Sequence, residues 1–341
     1  MRLPSPRVVL GTNLAVATAA LGWVLWTRGG PALDVLTLDP SWLTFAAFVA
    51  MVAVLLTSAT WRWRLVLGGL VRPPGFAGLT WYRLAGLSIS MLIPSAKLGG
   101  EPVRAYLLVR DGVAAPQAVA SVAIDRVLDM GAGTVFTVLF AAVLLRHGVA
   151  ALTGTLAGVV MVASALLAGI WLTMRRLHSG RGVVTSMVRR TGLDRWAVVE
   201  RRMGSVEAAE ECARRLVAQP SLMTTAFLFG LMINLGVLLE YKLLLEAFAL
   251  PSGLIAIVAA IFATGAAHSM PVPAGVGVLE GSQMALFAAL GHPAEIGLAV
   301  ALAVRLREML WLLPGLVYLV VRGVAGMAIR ETVAGAPEAE V

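Results

Sequence analysis

Two short segments of this chain carry residue types that hold anions. The first reads Pro94-Ser-Ala-Lys97-Leu-Gly99-Gly100-Glu101-Pro102-Val-Arg104, and the second Pro271-Val-Pro273-Ala-Gly275-Val-Gly277-Val-Leu-Glu280-Gly281. Proline stops a helix, and glycine adopts backbone conformations closed to other residues. Each segment therefore predicts an unwound tip with free amides and a new helix starting after it. Helix N-termini and exposed amides bind anions such as phosphate. Lys97 would add a mobile positive charge and Arg104 a bidentate one. Ordinary turns would use the same residues, so the pairing of two such segments carries the reading.

Charged residues inside apolar stretches are the second signal. Asp125 and Asp129 are four apart and share a helix face, with Arg126 three before Asp129; Arg305 and Glu308 repeat the arginine-to-acid spacing. An ionisable group at membrane depth costs several kcal/mol unless paired, so it is a functional candidate by default. Two readings stay open: ion pairs that pin the fold, or Arg126 and Arg305 binding an anionic group while the carboxylates hold them or exchange protons. His268 precedes the second broken segment and could titrate near neutral pH. Glu240, Lys242 and Glu246 fall near the end of an apolar run and read as interfacial.

The elements that position these residues follow from composition. Of 341 residues, 59% are hydrophobic and 13% charged, against roughly 25% charged in soluble domains. That excludes a water-soluble enzyme and a disordered chain. One cysteine, Cys212, excludes a disulfide framework, and four histidines form no metal pattern. No metal or other cofactor is expected. The net charge of +8 reads as positive-inside bias, not nucleic-acid binding. Apolar runs long enough to cross a bilayer occupy 8–26, 41–60, 147–174 and 216–239, with further stretches at 112–145, 247–279 and 281–321. The first run follows Arg2 and Arg7 and ends in Trp23 and Trp26, which fits an uncleaved anchor. With the N-terminus inside, the segments 1–7, 61–83, 97–117, 174–219 and the tail from 322 hold 21 Lys and Arg, and the outside segments hold two. The run 84–96 then enters and leaves from the cytoplasmic side as a re-entrant hairpin.

One constant offset aligns Pro94 with Pro273, Glu101 with Glu280, Arg126 with Arg305 and Asp129 with Glu308. The expected fold class is an all-α polytopic membrane protein with an inverted-topology repeat. Residues 1–325 form one transmembrane domain, with repeat one at 42–145 and repeat two at 221–324. Six full spans and two re-entrant hairpins result, with both termini cytoplasmic. The alternative has eight spans, with 253–270 and 281–304 both crossing. Inverted repeats build transporters whose site lies between the repeats near the midplane. The arginine-rich loop 174–219 has helical apolar spacing from Trp196 on, and reads as a helix along anionic headgroups or as a solvated connector. The tail 326–341 reads as disordered.

The runs Pro-x4-Gly-Gly-Glu-x2-Arg (94–104), Asp-Arg-x2-Asp (125–129) and Pro-x-Gly-x-Gly-x2-Glu (273–280), in this order, resemble the lysylphosphatidylglycerol synthase transmembrane region, the flippase-like integral membrane family also called the UPF0104 group. The resemblance covers roughly 8–325. It implies lipid translocation across the cytoplasmic membrane. In its best-known members the module moves aminoacylated phosphatidylglycerol and is fused to a soluble aminoacyl-transferase domain. No stretch here corresponds to that domain, so synthesis is not expected of these residues. Relatives without it are linked to hopanoids and polyprenyl-linked sugars. The expected partner is thus a phospholipid or polyprenyl-type lipid, with a separate lipid-modifying enzyme as a second candidate. Nucleotide-binding and nucleophile-elbow signatures are missing, so the chain is expected to be a flippase and not an enzyme. A membrane-embedded transferase in lipid-linked glycan synthesis and a proton-coupled solute transporter are the alternatives.

Overall fold

The computed structural model describes residues 41–93, 99–147, 153–180, 182–192, 197–270 and 272–322, together with Gly30 and Asp34. The expected first span at 8–26, the tail 326–341, and Pro94, Lys97 and Pro271 lie outside the described residues. Among the described residues the regular structure is helical: α1 (Trp42–Gly68), α2 (Phe76–Leu92), α3 (Glu101–Arg110), α4 (Ala115–Arg146), α5 (Thr153–His178), α6 (Val184–Thr191), α7 (Ala197–Val217), α8 (Pro220–Ala247), α9 (Leu254–Ser269), a 3-10 turn (Pro273–Gly275), α10 (Val278–Ala289) and α11 (Ala294–Val321).

A long–short–short–long set of helices occurs twice. α1 to α4 start at Trp42, Phe76, Glu101 and Ala115, and α8 to α11 repeat that spacing almost unchanged, starting at Pro220, Leu254, Val278 and Ala294. Local chemistry sets these starts. Proline sits in the first turn of α3, α4 and α8, where its missing N–H costs nothing. Ser41 caps α1 through its hydroxyl, which accepts the Thr44 N–H. At α10 the Glu280 carboxylate reaches back 2.8 Å to the Gly277 N–H.

The two sets pack with opposed chain directions. Along α1 and α8, the Ser41 N–H donates to the Ala247 carbonyl at one end. At the other, Gln219 Nε2 donates to the Gly69 carbonyl. α2 and α11 are also antiparallel: Trp81 stacks on Tyr318 at 5.4 Å, and Ser88 Oγ donates to the Leu312 carbonyl. Gly315 permits this crossing, because a Cβ there would sit 2.1 Å from Ser88 Oγ.

α1, α4, α5 and α8 are long and apolar enough to cross a membrane. α11 has 28 residues but carries Arg305, Arg307 and Glu308. α2 and α9, with 17 and 16 residues, are about 25 Å long, short of a hydrocarbon core of about 30 Å. Each folds back on the short helix after it. Apolar side chains cover the outside, with Met161, Val162 and Trp171 of α5 and Met232 and Leu235 of α8 all exposed. A membrane-spanning helical protein is the physical consequence, since water would not tolerate that surface.

Three expectations change. α1 runs eight residues past the expected end at 60, and α2 begins eight before 84, which takes Arg62 and Arg83 out of the cytoplasmic segment and into the protein interior. The helix 281–304 of the eight-span alternative is not continuous: α10 ends at Ala289, Gly291 turns the chain with φ +84°, and α11 starts after Pro293. The loop 174–219 is not a solvated connector, since it forms α6 and α7. Its α7 packs on α4, burying Leu216 and Val217 with Ile124 and Ala226. Glu210 of α7 caps α6 by accepting the N–H groups of Val183 and Val184 at 2.7 and 2.5 Å.

Gly100 opens α3 against α2, and a Cβ there would stand 2.0 Å from the Gly86 carbonyl oxygen. Gly100→Ala should therefore cost at least about 1–3 kcal/mol through overpacking. Thermal unfolding in detergent should show a clear fall, whereas Gly281→Ala, with open space around it, should unfold at or above the wild-type temperature.

Candidate functional site

Asp125 is the point where the first helix set converges. It lies within α4 and is almost completely buried, at 1% exposure. Arg62 of α1 donates from Nε to Asp125 Oδ1 at 2.9 Å and from Nη2 to Asp129 Oδ1 at 2.9 Å. Arg83 of α2 donates to Asp125 Oδ2 at 3.0 Å and to the Ala59 carbonyl at 2.7 Å. Arg104 of α3 donates to Asp125 Oδ2 at 2.7 Å, its guanidinium lying 3.9 Å from the centre of the Trp63 ring. One carboxylate thus joins four helices. The three arginines are buried, yet Arg62 Nη1, Arg83 Nε and Arg104 Nε have no hydrogen-bond partner among the described residues.

Beside this cluster, Arg126 meets Glu101 at 3.2 Å and Asp129 at 3.5 Å. These contacts are long and the groups are accessible, with side-chain exposures of 24% for Arg126 and 42% for Asp129. Both clusters open on a cavity of about 280 Å³. Its far wall holds Arg307 of α11, paired bidentately with Glu240 of α8 at 2.6 and 2.8 Å and lying against Tyr241 and Trp311. The rest of the lining includes Val52, Leu55, Leu56, Leu87, Ile233 and Val237. Five arginines and four carboxylates face the cavity, leaving one positive charge in excess.

The second set builds the same triad in a closed form. Arg305 donates from Nε to Glu280 Oε1 at 2.9 Å, from Nη2 to Glu280 Oε2 at 3.3 Å, and from Nη1 to Glu308 Oε2 at 3.0 Å and to the Ala274 carbonyl. His268 Nε2 lies 2.7 Å from Glu308 Oε1. None of these five residues lines the cavity. The correspondence seen along the sequence therefore holds in three dimensions: Glu101, Arg126 and Asp129 form one network, Glu280, Arg305 and Glu308 the other.

Several expected roles are thereby redistributed. The structure brings Gly100, Glu101, Arg104, Asp125, Arg126 and Asp129 together at the cavity. Arg305, given to an anionic headgroup on sequence grounds, has all three nitrogens committed to protein oxygens. The expected free amides of the second tip are also used: Gly275 N–H donates to the Val272 carbonyl, Val276 to Pro273, and Gly277 to Glu280. Pro273 and Gly275 form the turn itself, Gly275 with φ +61°. Gly99 and Gly100 are buried, and at Gly100 the requirement is the close approach to Gly86. Glu240, interfacial by its place in the sequence, is buried and paired with Arg307, whereas Lys242 and Glu246 form an exposed pair.

Sequence reasoning misses Arg62, Arg83, Arg307 and Glu240 as site residues. For the first two a signal exists. At the offset that pairs Glu101 with Glu280, Asp125 corresponds to Val304, Arg62 to Tyr241, Arg83 to Phe262 and Arg104 to Gln283. Four charges without counterparts in the second set are the four that find each other.

Removing Asp125 leaves three buried guanidinium groups with their shared counter-charge gone. Asp125→Ala should destabilise by about 3–5 kcal/mol, the usual cost of breaking a buried ion pair. Exposed Lys242→Ala should cost at most about 1 kcal/mol. Thermal or denaturant unfolding in one detergent measures both, and equal losses would contradict the central place of Asp125.

The sequence of residues 10–315 matches the model of the family described as lysylphosphatidylglycerol synthase TM region. A UPF0104 membrane protein of Methanothermobacter thermautotrophicus (strain Delta H) is 25% identical over 281 residues, which are 79% of this chain and 81% of that protein. No solved structure matches. With nearly the whole helical body inside the matched region, the chain belongs to the lysylphosphatidylglycerol synthase transmembrane-region family.

Proposed function

We propose that this protein is a lipid transporter of the cell membrane, moving a phosphate-bearing lipid headgroup through the arginine-lined cavity while the acyl or prenyl tails stay in the bilayer. The carrying observation is the cavity. Five arginines, Arg62, Arg83, Arg104, Arg126 and Arg307, line it against four carboxylates, and the positive field they leave is what a phosphate group would meet. A volume of about 280 Å³ suits a headgroup and not a whole lipid. The apolar part of the lining, from Val52 to Leu56 and from Ile233 to Val237, suits the glycerol or prenyl neck. Family membership adds a lipid-related setting.

In this reading the two helix sets form an inverted-topology repeat of six full spans and two re-entrant hairpins, with both termini cytoplasmic. The antiparallel α1–α8 pair and the short, folded-back pairs α2–α3 and α9–α10 support it. Arg126 makes the first contact, because its side chain, 24% exposed, is the most accessible of the five arginines that line the cavity. Arg62, Arg83 and Arg104 set the positive field behind it. Asp125 holds them in place and, surrounded by three guanidinium groups, is poorly suited to act as a base. That favours transport over a membrane-embedded transferase.

The test is translocation of fluorescent phosphatidylglycerol in proteoliposomes, read by access of a membrane-impermeant quencher. Arg126→Ala should lower the rate by about tenfold or more, the loss of one charge-assisted contact of at least about 1.5 kcal/mol. Arg214→Ala, in the α6–α7 region, should leave it unchanged. Wild-type rates in a folded Arg126→Ala protein would remove Arg126 from the pathway. A new lipid species in mass spectra of reconstituted lipids would favour the transferase instead.

A further inference from the structure

His268 stands on the last turn of α9, away from the cavity. Its Nδ1 lies 2.8 Å from the Thr264 carbonyl oxygen and its Nε2 lies 2.7 Å from Glu308 Oε1. A carbonyl oxygen only accepts, so Nδ1 must carry a proton. A neutral imidazole of that tautomer presents a bare Nε2 lone pair to the carboxylate, and two acceptors in such close contact repel. One further proton between them turns the contact into a charge-assisted hydrogen bond. The pair therefore holds one proton beyond that on Nδ1, as imidazolium beside carboxylate or as imidazole beside carboxylic acid.

The surroundings favour that proton. Facing the pair from α11 are Arg305, 3.0 Å from Glu308 Oε2, and Arg307, the residue before Glu308. From α10 comes Glu280, bound to Arg305, and from α8 come Tyr241 and Glu240, with Glu240 bound to Arg307. The turn Pro273–Gly275 contributes the Ala274 carbonyl that accepts from Arg305. α4 meets α9 through apolar residues including Phe136 and Phe140, its Asp125, Arg126 and Asp129 belonging to the first cluster. Arg307 and Glu240 neutralise each other. With its proton, the group formed by His268, Arg305, Glu280 and Glu308 sums to zero charge; without it these four described residues sum to one negative charge, with His268 and Glu308 only 7% and 2% exposed. Buried net charge is costly.

We infer that the His268–Glu308 pair is a proton-binding site that couples proton movement to lipid movement. The coupling rests on the lipid-transport reading; the proton site does not. The link to the cavity runs along α11. Glu308 directly follows Arg307 of the cavity wall, and α11 packs along α2, whose Gly86, Leu87 and Ser90 also line the cavity. When the proton leaves, the pair as a whole becomes one unit more negative and draws Arg305 toward Glu308 and away from the Ala274 carbonyl, loosening the turn of the second hairpin. When the proton returns, the turn is pinned again. No bond other than that to the proton is made or broken.

Proteoliposomes of phosphatidylethanolamine and phosphatidylglycerol with a trace of fluorescent phosphatidylglycerol test this under an imposed pH gradient, the membrane potential clamped with potassium and valinomycin. Wild-type protein should shift the steady-state distribution of the probe between leaflets, by up to about tenfold per pH unit for one proton per lipid. His268→Gln should still equilibrate the probe without a gradient, which also reports that it is folded, but should lose the shift. A wild-type response in His268→Gln, or wild-type translocation indifferent to the gradient, overturns the proposal and leaves the lipid reading standing. If wild-type protein moves no probe at all, the lipid reading fails for this lipid. The proton site is then read in detergent by infrared difference spectra across pH. A carboxyl or imidazolium change that Glu308→Gln abolishes keeps the site, and its absence in wild-type protein removes it.

Discussion

The carboxylate of Asp125 is the constraint around which the first half of the structure is arranged. An isolated charge in an apolar interior is worth several kcal/mol of destabilisation. Asp125 answers it with three guanidinium groups from α1, α2 and α3, and Arg62 shares its charge with Asp129 as well. Each partner must come from a different helix, because no single helix presents three arginines to one point. The demand for neutralisation therefore fixes how α1 to α4 sit relative to one another. It also explains why α1 continues through Arg62 to Gly68 and why α2 begins before Arg83. A charge that meets its partner inside the protein does not end a span.

Much of the fold is legible in the residues alone. Long uncharged runs mark α1, α4, α5 and α8, and the regular recurrence of Pro, Glu, Arg and acid anticipates helix starts that recur at nearly the same spacing. What composition cannot supply is the side on which a charge lies. Counting arginines as loop residues places Arg62, Arg83 and Arg104 in the cytoplasm, because a charge count carries no information about partners. Glu240 reads as interfacial for the same reason. Pairing depends on helix crossing, and crossing depends on contacts such as Gly100 with Gly86 and Gly315 with Ser88, which become visible only when the backbones are in place.

The glycines illustrate how one residue pattern serves two physical ends. In the first broken segment Gly100 is demanded by space, its missing Cβ letting α3 start against α2. In the second, Gly275 and Gly277 are demanded by conformation, both with positive φ in a tight turn. The sequence motif looks like a phosphate cradle in both cases. In the second segment the N–H groups of Gly275, Val276 and Gly277 are spent on the turn and on Glu280, so they form no phosphate cradle there.

The two halves then differ in a way that a perfect repeat would not permit. Both contain the glutamate–arginine–acid triad, but the first is open to the cavity, whereas the second is closed around Arg305 and completed by His268. A shared order of helices with unequal linings gives the two halves different local chemistry. On one side, five arginines and four carboxylates line a cavity and leave one positive charge in excess. On the other, a histidine and a carboxylate at 2.7 Å need a proton to coexist. α11 belongs to both, since Arg307 lines the cavity and the next residue, Glu308, meets the histidine, so the two charged sites are adjacent along one helix and need no long relay between them.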